Sequence, residues 1–568
     1  MDDTIALEEE IRGVETSPPP SKSHPKGLYV LFTTEMWERF NFYGMRAILT
    51  LFLVNALTYS DQTTSLIYGG FLGLCYLTPM LGGFISDRFL GNRNCIMLGG
   101  LTMAVGQLLL FISASQYHTD LGFAQNITWV ALGVIVLGNG FFKPNISSMV
   151  GSLYPPKDNR LDSAFTIFYL GINLGALIGN YICSTVGDVK NAAGIRDVSA
   201  FKYGFLAASL AMVLGTAIFF FLKNKYIVTP EGKAIGGLPK NNTSTALEED
   251  KAEFSSQSIG IWVFIALALI SGFHFIFGNN WIYSVIYSSG ISLAGLILTD
   301  KKLTKIETQR IWVIYIVGLF IMFFWACFEQ AGSSLTFIAD KQTDTHLFGW
   351  EMPPSAVQNF NGFFILIFAF PFSWMWIQLN KRKLEPISPV KQSIGLLLLA
   401  LGYFIIANRV KTLGIDEKMG IVWLIILYLL HTLGELCLSP IGLSLVAKLS
   451  PKRFSSLLFG VFFLSNASGY ALAGTLGALI PNTSDKFIAA TSKGINLQGI
   501  LDGTVVPTAD QVKFLDAEKI ATVYPKFVGF TIHNLYEFFM VFVILPASAA
   551  VLLFLLSGKL KKMMNGIR

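Results

Sequence analysis

Seven ionisable side chains sit where their neighbours leave almost no room for charge: Glu35, Glu38, Arg39, Arg46, Lys143, Glu329 and Glu435 all fall inside long apolar runs. A charge at the centre of a lipid-embedded helix costs about 2.5–3.5 kcal/mol on insertion scales, so leaving all of them unpaired would cost on the order of 15–25 kcal/mol. That exceeds the roughly 5–15 kcal/mol that holds an ordinary domain together. They must therefore face one another or a wet cavity. In such a place carboxyls can carry protons, and cationic groups can hold a carboxylate.

The run Glu35-Met-Trp-Glu38-Arg39-Phe-Asn-Phe42-Tyr43-Gly-Met-Arg46 is the densest of these. Positions 35, 39, 42, 43 and 46 share one helical stripe, and Glu38 lies one position off it. Two carboxylates beside one guanidinium in low dielectric cannot both stay ionised cheaply, which makes one of them a candidate proton carrier. A static ion-pair network holding helices together is the alternative. At about 1.5 Å per residue, Glu35 and Glu38 lie roughly 10–15 Å into their helix. Lys143 sits at a similar height on the fourth helix, Arg46 and Glu329 lie in the other half of the membrane, and Glu435 lies near its middle. Depth thus permits Arg46 to meet Glu329 and Lys143 to meet Glu435, each pair joining the two halves of the chain. Glu35, Glu38, Glu329 and Glu435 against Arg39, Arg46 and Lys143 leave one net negative charge, which a single proton cancels. A zwitterion could then enter without upsetting the balance. Pro144 after Lys143 predicts a broken helix there. Tyr169 with Asn173, and Glu435 with Ser439, are one turn apart; singly, such residues serve as helix–helix glue or as ligand contacts. Trp325 is either packing or pocket wall, and His431 reads as a satisfied structural histidine.

The elements that must position these residues are membrane helices. Of the 568 residues, 53% are hydrophobic and only 14% charged, where a soluble domain has about 25% charged. Runs of spanning length, about 17–25 residues, recur near 28–57, 64–86, 94–114, 128–151, 163–187, 201–223, 259–277, 280–298, 311–338, 355–379, 391–408, 419–447, 454–480 and 529–556. That predicts an all-α membrane protein with fourteen transmembrane helices. Lys and Arg concentrate in alternate loops, among them Arg88 and Arg93, Lys223 and Lys225, and Lys381-Arg-Lys383, with exceptions at 188–202, 409–418 and 481–528. The bias puts both termini on the cytoplasmic side of the cell (inner) membrane. Residues 1–27 read as a disordered cytoplasmic tail, 28–225 as a six-helix bundle, and 226–258 as a flexible cytoplasmic linker. Residues 259–300 are an extra helix pair, and 301–568 a second six-helix bundle with a long extracytoplasmic loop at 481–528. Cys75, Cys95, Cys183, Cys327 and Cys437 are scattered singly, which favours buried thiols over disulfides or a metal site. The net charge of +6 comes with no nucleic-acid motif. No HExxH, GxSxG or Walker-type loop supports a membrane-embedded enzyme.

The first-helix run Glu35-x-x-Glu38-Arg39-Phe40-x-x-Tyr43-Gly44 resembles that of the proton-dependent oligopeptide transporters, bacterial type. Gly82 to Arg93 is similar to their version of the helix 2–3 motif of the major facilitator superfamily. Phe142-Lys143-Pro144-Asn145, Phe168-Tyr169-x-x-Ile172-Asn173-x-Gly175, Phe328-Glu329-Gln330 and Gly434-Glu435-Leu-x-Leu-Ser439-Pro440 resemble further signatures of the same family. The resemblance implies a major facilitator fold and proton-coupled symport of di- and tripeptides by alternating access. It implies no cofactor beyond the proton gradient, and a monomer acting in the lipid bilayer. By motif position Glu35, Glu38 and Arg39 would couple protons, with Glu329 as a second titrating group. Arg46 and Lys143 would hold the peptide carboxylate, and Asn173 and Glu435 its amine. Tyr43, Tyr76, Tyr169, Gln358, Asn361 and Ser439 would line the pocket, with Trp325 shaping a side-chain subsite. Arg46–Glu329 and Lys143–Glu435 would be gate pairs. Phe42 and Phe462 stand where many members carry Tyr and Trp, and the second helix has no histidine. A relative carrying another small anion, such as nitrate, is the rival within the class; Glu435, suited to an amine, disfavours it.

Overall fold

The computed structural model describes residues 23–155, 158, 160–191, 194–229, 232–239, 254–414 and 417–567, apart from the side chains of residues 162 and 439–441. The expected tail therefore lies largely outside the described residues. The first bundle comprises α1 (Lys26–Asn55), α2 (Asp61–Ile85), α3 (Gly91–Gln116), α4 (Leu121–Ser152), α5 (Leu161–Gly187) and α6 (Phe201–Tyr226). The extra pair is α7 (Ser256–Phe275) and α8 (Trp281–Leu298). The second bundle begins with α9 (Lys305–Phe328), short α10 (Ser334–Lys341), α11 (Asn359–Lys381) and α12 (Ser388–Lys411). It continues through α13 (Val422–Leu436), α14 (Ser439–Leu449) and α15 (Ser455–Gly477), and after a small helical cap ends in α19 (Leu535–Met563). The cap holds α16 (Ser484–Ser492), α17 (Leu497–Leu501) and α18 (Ala509–Ala517). Three two-stranded ribbons of two residues per strand are the only sheets among the described residues.

Each of the fourteen ranges expected from sequence contains helix. By length and apolarity, eleven helical stretches among the described residues can cross a membrane. One of these, Asp61–Gln116, is 56 residues long and holds both α2 and α3. They are joined by a π-helical turn, Ser86–Leu90, after which Gly91 takes a φ of +74° that L side chains rarely adopt. Helix α1 is outside the eleven because Glu35, Glu38, Arg39 and Arg46 crowd it. At 15 residues α13 is short. The bundles meet where α2 crosses α15: a Cβ on Gly69 would lie 2.6 Å from the Gly474 Cα, so only glycines allow this approach. Helix α8 packs against both.

Three sequence expectations are corrected. Helix α4 does not break at Lys143; it runs through Pro144. Proline denies Gly140 its helical donor, but Gly82 of α2 packs against that carbonyl, where even a Cβ would come within 1.9 Å. Asn145 Nδ2 meanwhile donates to the Phe141 carbonyl at 2.6 Å. The breaks lie elsewhere. The expected 311–338 helix gives way to a 3₁₀ turn at Glu329–Gly332, and the expected 419–447 helix stops at Leu436 and restarts at Ser439. Both interruptions fall on or beside a glutamate, Glu329 buried and Glu435 half-buried.

The second correction concerns the linker, of which residues 230–231 and 240–253 lie outside the described residues. Its described part, 226–229 and 232–239, is packed rather than flexible, with Ile227 and Ile235 buried. Arg93 reaches across from α3, Nε donating to the Ile235 carbonyl at 2.5 Å and Nη1 to Asn224 Oδ1 at 2.9 Å. Its Nη2 donates to the Ile227 carbonyl. A cation at the C-terminal end of α6 satisfies carbonyls that the helix itself leaves open. Third, the segment read as a long loop at 481–528 carries three short helices and its own small core, including Ala490, Leu497 and Leu515.

Candidate functional site

Glu35, Glu38 and Arg39 come together inside the first bundle. Arg39 Nε lies 2.9 Å from Glu35 Oε1 and 2.5 Å from Glu38 Oε2, and the three side chains are at most 5% exposed. Glu35 Oε2 and Glu38 Oε1 are buried with no hydrogen-bond partner. Two carboxylates thus share one guanidinium, as the one-turn spacing required.

Towards the cap end the second cation of α1 crosses the seam. Arg46 Nη1 donates to Glu329 Oε1 at 3.3 Å and lies 3.2 Å from Oε2, while its guanidinium covers the Tyr43 ring. Glu329 is buried at the point where α9 turns into the 3₁₀ segment. The next residue braces that turn: Gln330 Nε2 donates to the Ala326 carbonyl at 3.0 Å and to Ala473 of α15 at 2.9 Å.

Below this pair lies a cavity of ≈ 240 Å³ between the bundles. The first bundle lines it with Tyr43, Arg46, Tyr76, Tyr169 and Asn173, and the second with Trp325, Glu329, Gln358, Asn361 and Glu435. Ten of the site residues expected from sequence therefore share one space. Asn361 Nδ2 donates to Glu435 Oε2 at 3.0 Å and to Thr432 Oγ1 at 3.0 Å, which orients the carboxylate. Gln358 Nε2 donates to Thr336 Oγ1 at 3.1 Å. Asn173 Nδ2 donates back to the Tyr169 carbonyl at 2.9 Å, leaving its oxygen for the cavity.

The other depth-matched pair is not formed. Among the described residues no ion pair joins Lys143 to Glu435; Lys143 Nζ instead sits over the Tyr76 ring, 3.8 Å from its centre. The Ser439 side chain is outside the described residues. His431 is buried between Tyr403 (4.7 Å between ring centres) and Phe328 (6.1 Å) and does not line the cavity.

Sequence reasoning missed Tyr470, whose ring lies 4.5 Å from Tyr76 and 5.7 Å from Trp325 and so bridges the two bundles. Its only sequence cue is a polar, small-residue stripe on α15 (Ser465, Asn466, Ser468, Gly469) that would pass for helix packing. It also missed the charges at the cap end. Arg196, one of the cations that blurred the loop-charge pattern, is bidentate to Asp340 of α10 at 2.9 Å and bonded to Asp188 at 2.8 Å. Lys190 Nζ adds a contact to Asp340 at 3.0 Å. Burial works against the Arg196 charge, but Asp340 and Asp188 outweigh it and hold the guanidinium above its ordinary range.

A bundle pair with an ion-lined cavity at the seam defines a membrane transporter of the facilitator type. A sequence profile of the POT family (PTR2) matches residues 93–493, and the chain belongs to that family. It is 34% identical to the uncharacterized transporter YclF of Bacillus subtilis, over 81% of this chain and 89% of that one. It is 32% identical to the peptide transporter YePEPT of Yersinia enterocolitica (80% and 88% covered) and 31% identical to a di-/tripeptide transporter of Lactococcus lactis (85% and 94%). Among solved structures it is similar to a mutant of peptide transporter POT in complex with alafosfalin, with TM-score 0.72 and 28% identity over 96% and 97% of the chains. It is also similar to a POT family transporter in complex with 5-aminolevulinic acid, with TM-score 0.70 and 28% identity over 95% and 98%. The fold is the major facilitator fold, and the protein is a multi-pass membrane protein.

Proposed function

We propose that this protein imports di- and tripeptides with protons by alternating access. The observation that carries the reading is the cavity itself, closed at one end by Arg46–Glu329 and offering the Asn361-held Glu435 carboxylate to the opposite side. A peptide's carboxylate would meet Arg46 or Lys143, and its ammonium would meet Glu435 and Asn173. The backbone between them would lie among Tyr43, Tyr76, Tyr169 and Gln358, beside Trp325. Charge-assisted bonds at both ends select a short zwitterion over a single anion. The two solved relatives named above are in complex with 5-aminolevulinic acid and with alafosfalin.

Glu35 and Glu38 are the proton carriers in this proposal: two buried carboxyls sharing Arg39, each with an unpartnered oxygen, hold one proton at lower cost than two charges. Glu329 is the second titrating group, since protonating it loosens Arg46 and frees that end to open. The chain is read as fourteen crossings of the cell membrane with both termini cytoplasmic, a working monomer without a cofactor. The cap then faces outward and the Arg93 clamp inward.

Uptake of labelled dialanine into proteoliposomes tests this. An acidic exterior should drive accumulation, and a protonophore should abolish it. Accumulation indifferent to the gradient would reject coupling; competition by nitrate but not by dipeptides would reject the substrate class.

A further inference from the structure

Helix α2 begins at the cap, where Asp61 lies 2.9 Å from Lys486. Helices α4 and α8 begin on the same side, and a furrow of ≈ 330 Å³ opens between the three. It is lined from Thr63 to Leu74 on α2, from Trp129 to Val136 on α4 and from Asn280 to Tyr283 on α8. Phe71 and Tyr283 are buried in its floor, while Trp129 on its rim is 47% exposed. The furrow therefore opens onto the lipid-facing surface, and it shares no residue with the seam cavity.

Its chemistry suits hydrocarbon. None of the lining residues is charged. The Tyr283 hydroxyl donates to the Leu66 carbonyl at 2.8 Å, and Asn280 Oδ1 accepts from the Tyr283 N–H at 3.0 Å, so both polar groups are spent on the fold. Its dimensions suit a lipid tail. Thr63 to Leu74 covers about 16 Å of helix, close to one leaflet of a hydrocarbon core about 30 Å thick. Spread over that length, the cavity is about 20 Å² in cross-section, too narrow for a second helix about 10 Å across. Gly133 keeps one wall low. A Cβ there would meet nothing within 4 Å, so no neighbour requires the glycine, and alanine would favour the helix more.

We propose that this furrow binds one acyl chain of a lipid in the cap-side leaflet, gripping the tail whatever its headgroup. The chain lies between the extra helix pair and the first bundle. Left empty, the furrow would be a gap whose apolar walls lose their dispersion contacts, and a tail restores them. The inference does not depend on what the seam cavity carries.

Phosphatidylcholine with a diazirine in one acyl chain tests this in proteoliposomes of the full chain, read by mass spectrometry of the labelled peptides. A diazirine at the chain end should mark Leu74 and Val136, and one beside the ester should mark Thr63 and Ile282. Each should exceed by about fivefold or more the labelling of Leu210 and Val213, exposed on α6, an ordinary lipid contact. Gly133→Phe fills the furrow and should remove that excess, whereas Gly133→Ala leaves room and should keep it. Phosphatidylglycerol with the same chains should label equally. Furrow labelling no stronger than that of α6, labelling without the depth order, or full labelling of Gly133→Phe overturns the proposal. Loss of labelling on the change of headgroup, or a crosslink from the furrow to a second copy of the chain, does so too. The depth order is read on the unaltered chain, so the proposal stays testable even if Gly133→Phe fails to fold.

Discussion

Arg46 and Lys143 are both cations deep in the first bundle, and depth allowed each a glutamate partner in the second, yet their situations differ. Arg46 has closed on Glu329 at 3.2 Å, at the end where Arg196–Asp340 and Asp61–Lys486 also bridge the halves. Lys143 rests on the Tyr76 ring, and Glu435 is held by Asn361. Every charged bridge named across the seam lies on the cap side of the cavity. The difference is one of conformation more than of chemistry: the same types of group are closed at one end and parted at the other, as a molecule that admits substrate from one face at a time requires. It also explains why both glutamates sit at helix interruptions. Unwound backbone at membrane depth is tolerated only where it lines a cavity, and there it lets the carboxylate move relative to its helix.

Four substitutions probe this contrast. The largest effect is expected where neither end of the seam is involved. Arg39→Ala strands two buried carboxylates, a loss of about 3–5 kcal/mol by the usual cost of breaking a buried ion pair. A sharp fall in detergent melting temperature and no uptake are expected; a wild-type melting curve would show that the carboxyls are solvated in some other way. Glu329→Gln removes the closed pair while keeping its shape. The cap-side-closed state should lose on the order of 3 kcal/mol, seen as protection lost from hydrogen exchange at the cap end and gradient-driven uptake reduced about 100-fold. Lys143→Gln acts on the parted pair, so its cost should appear in substrate binding. A charged hydrogen bond worth about 1.5–3 kcal/mol raises the dialanine KM roughly 10- to 100-fold, with little change in exchange at the cap end. Equal responses from Glu329→Gln and Lys143→Gln would erase the distinction between the two ends. Asn361→Ala should be mildest, at about 1 kcal/mol or fivefold in KM, because it loses only the bond that orients Glu435.

Much of this was legible before any coordinates. The apolar runs located the helices because spanning length and intrahelical bonding leave few other solutions. The cost of buried charge picked out Arg46, Glu329 and Glu435, which line one cavity, together with the Glu35–Glu38–Arg39 cluster, while the resemblance supplied the seven uncharged residues beside them. The interruptions were misplaced for a local reason. Pro144 looks like a breaker, but Gly82 and Asn145 shelter the carbonyls around it, whereas the breaks at Glu329 and Leu436 depend on packing from α15 and α11 that spacing does not carry. Asp61, Arg196, Asp340, Lys341 and Lys486 were invisible as partners because each lies at a helix end or, for Arg196, in a connecting loop, where a charge is ordinary, and because their pairing joins segments more than 140 positions apart in sequence. Tyr470 escaped for the same reason: one tyrosine in an apolar helix looks like packing until Tyr76 and Trp325 are seen on either side.

The central claim is that the two ends of the seam open in alternation. Spin labels at Ile195 and Ile488 report on the cap end, and labels at Phe89 and Leu384 report on the opposite end; all four side chains are exposed. Double electron–electron resonance on the two pairs, across pH and with dialanine added, measures both separations in the same reconstituted protein. The account predicts that the cap-end distance lengthens under conditions in which the other shortens, as Lys143 and Glu435 approach. Separations that rise and fall together, or a Lys143 end that never closes, would contradict it.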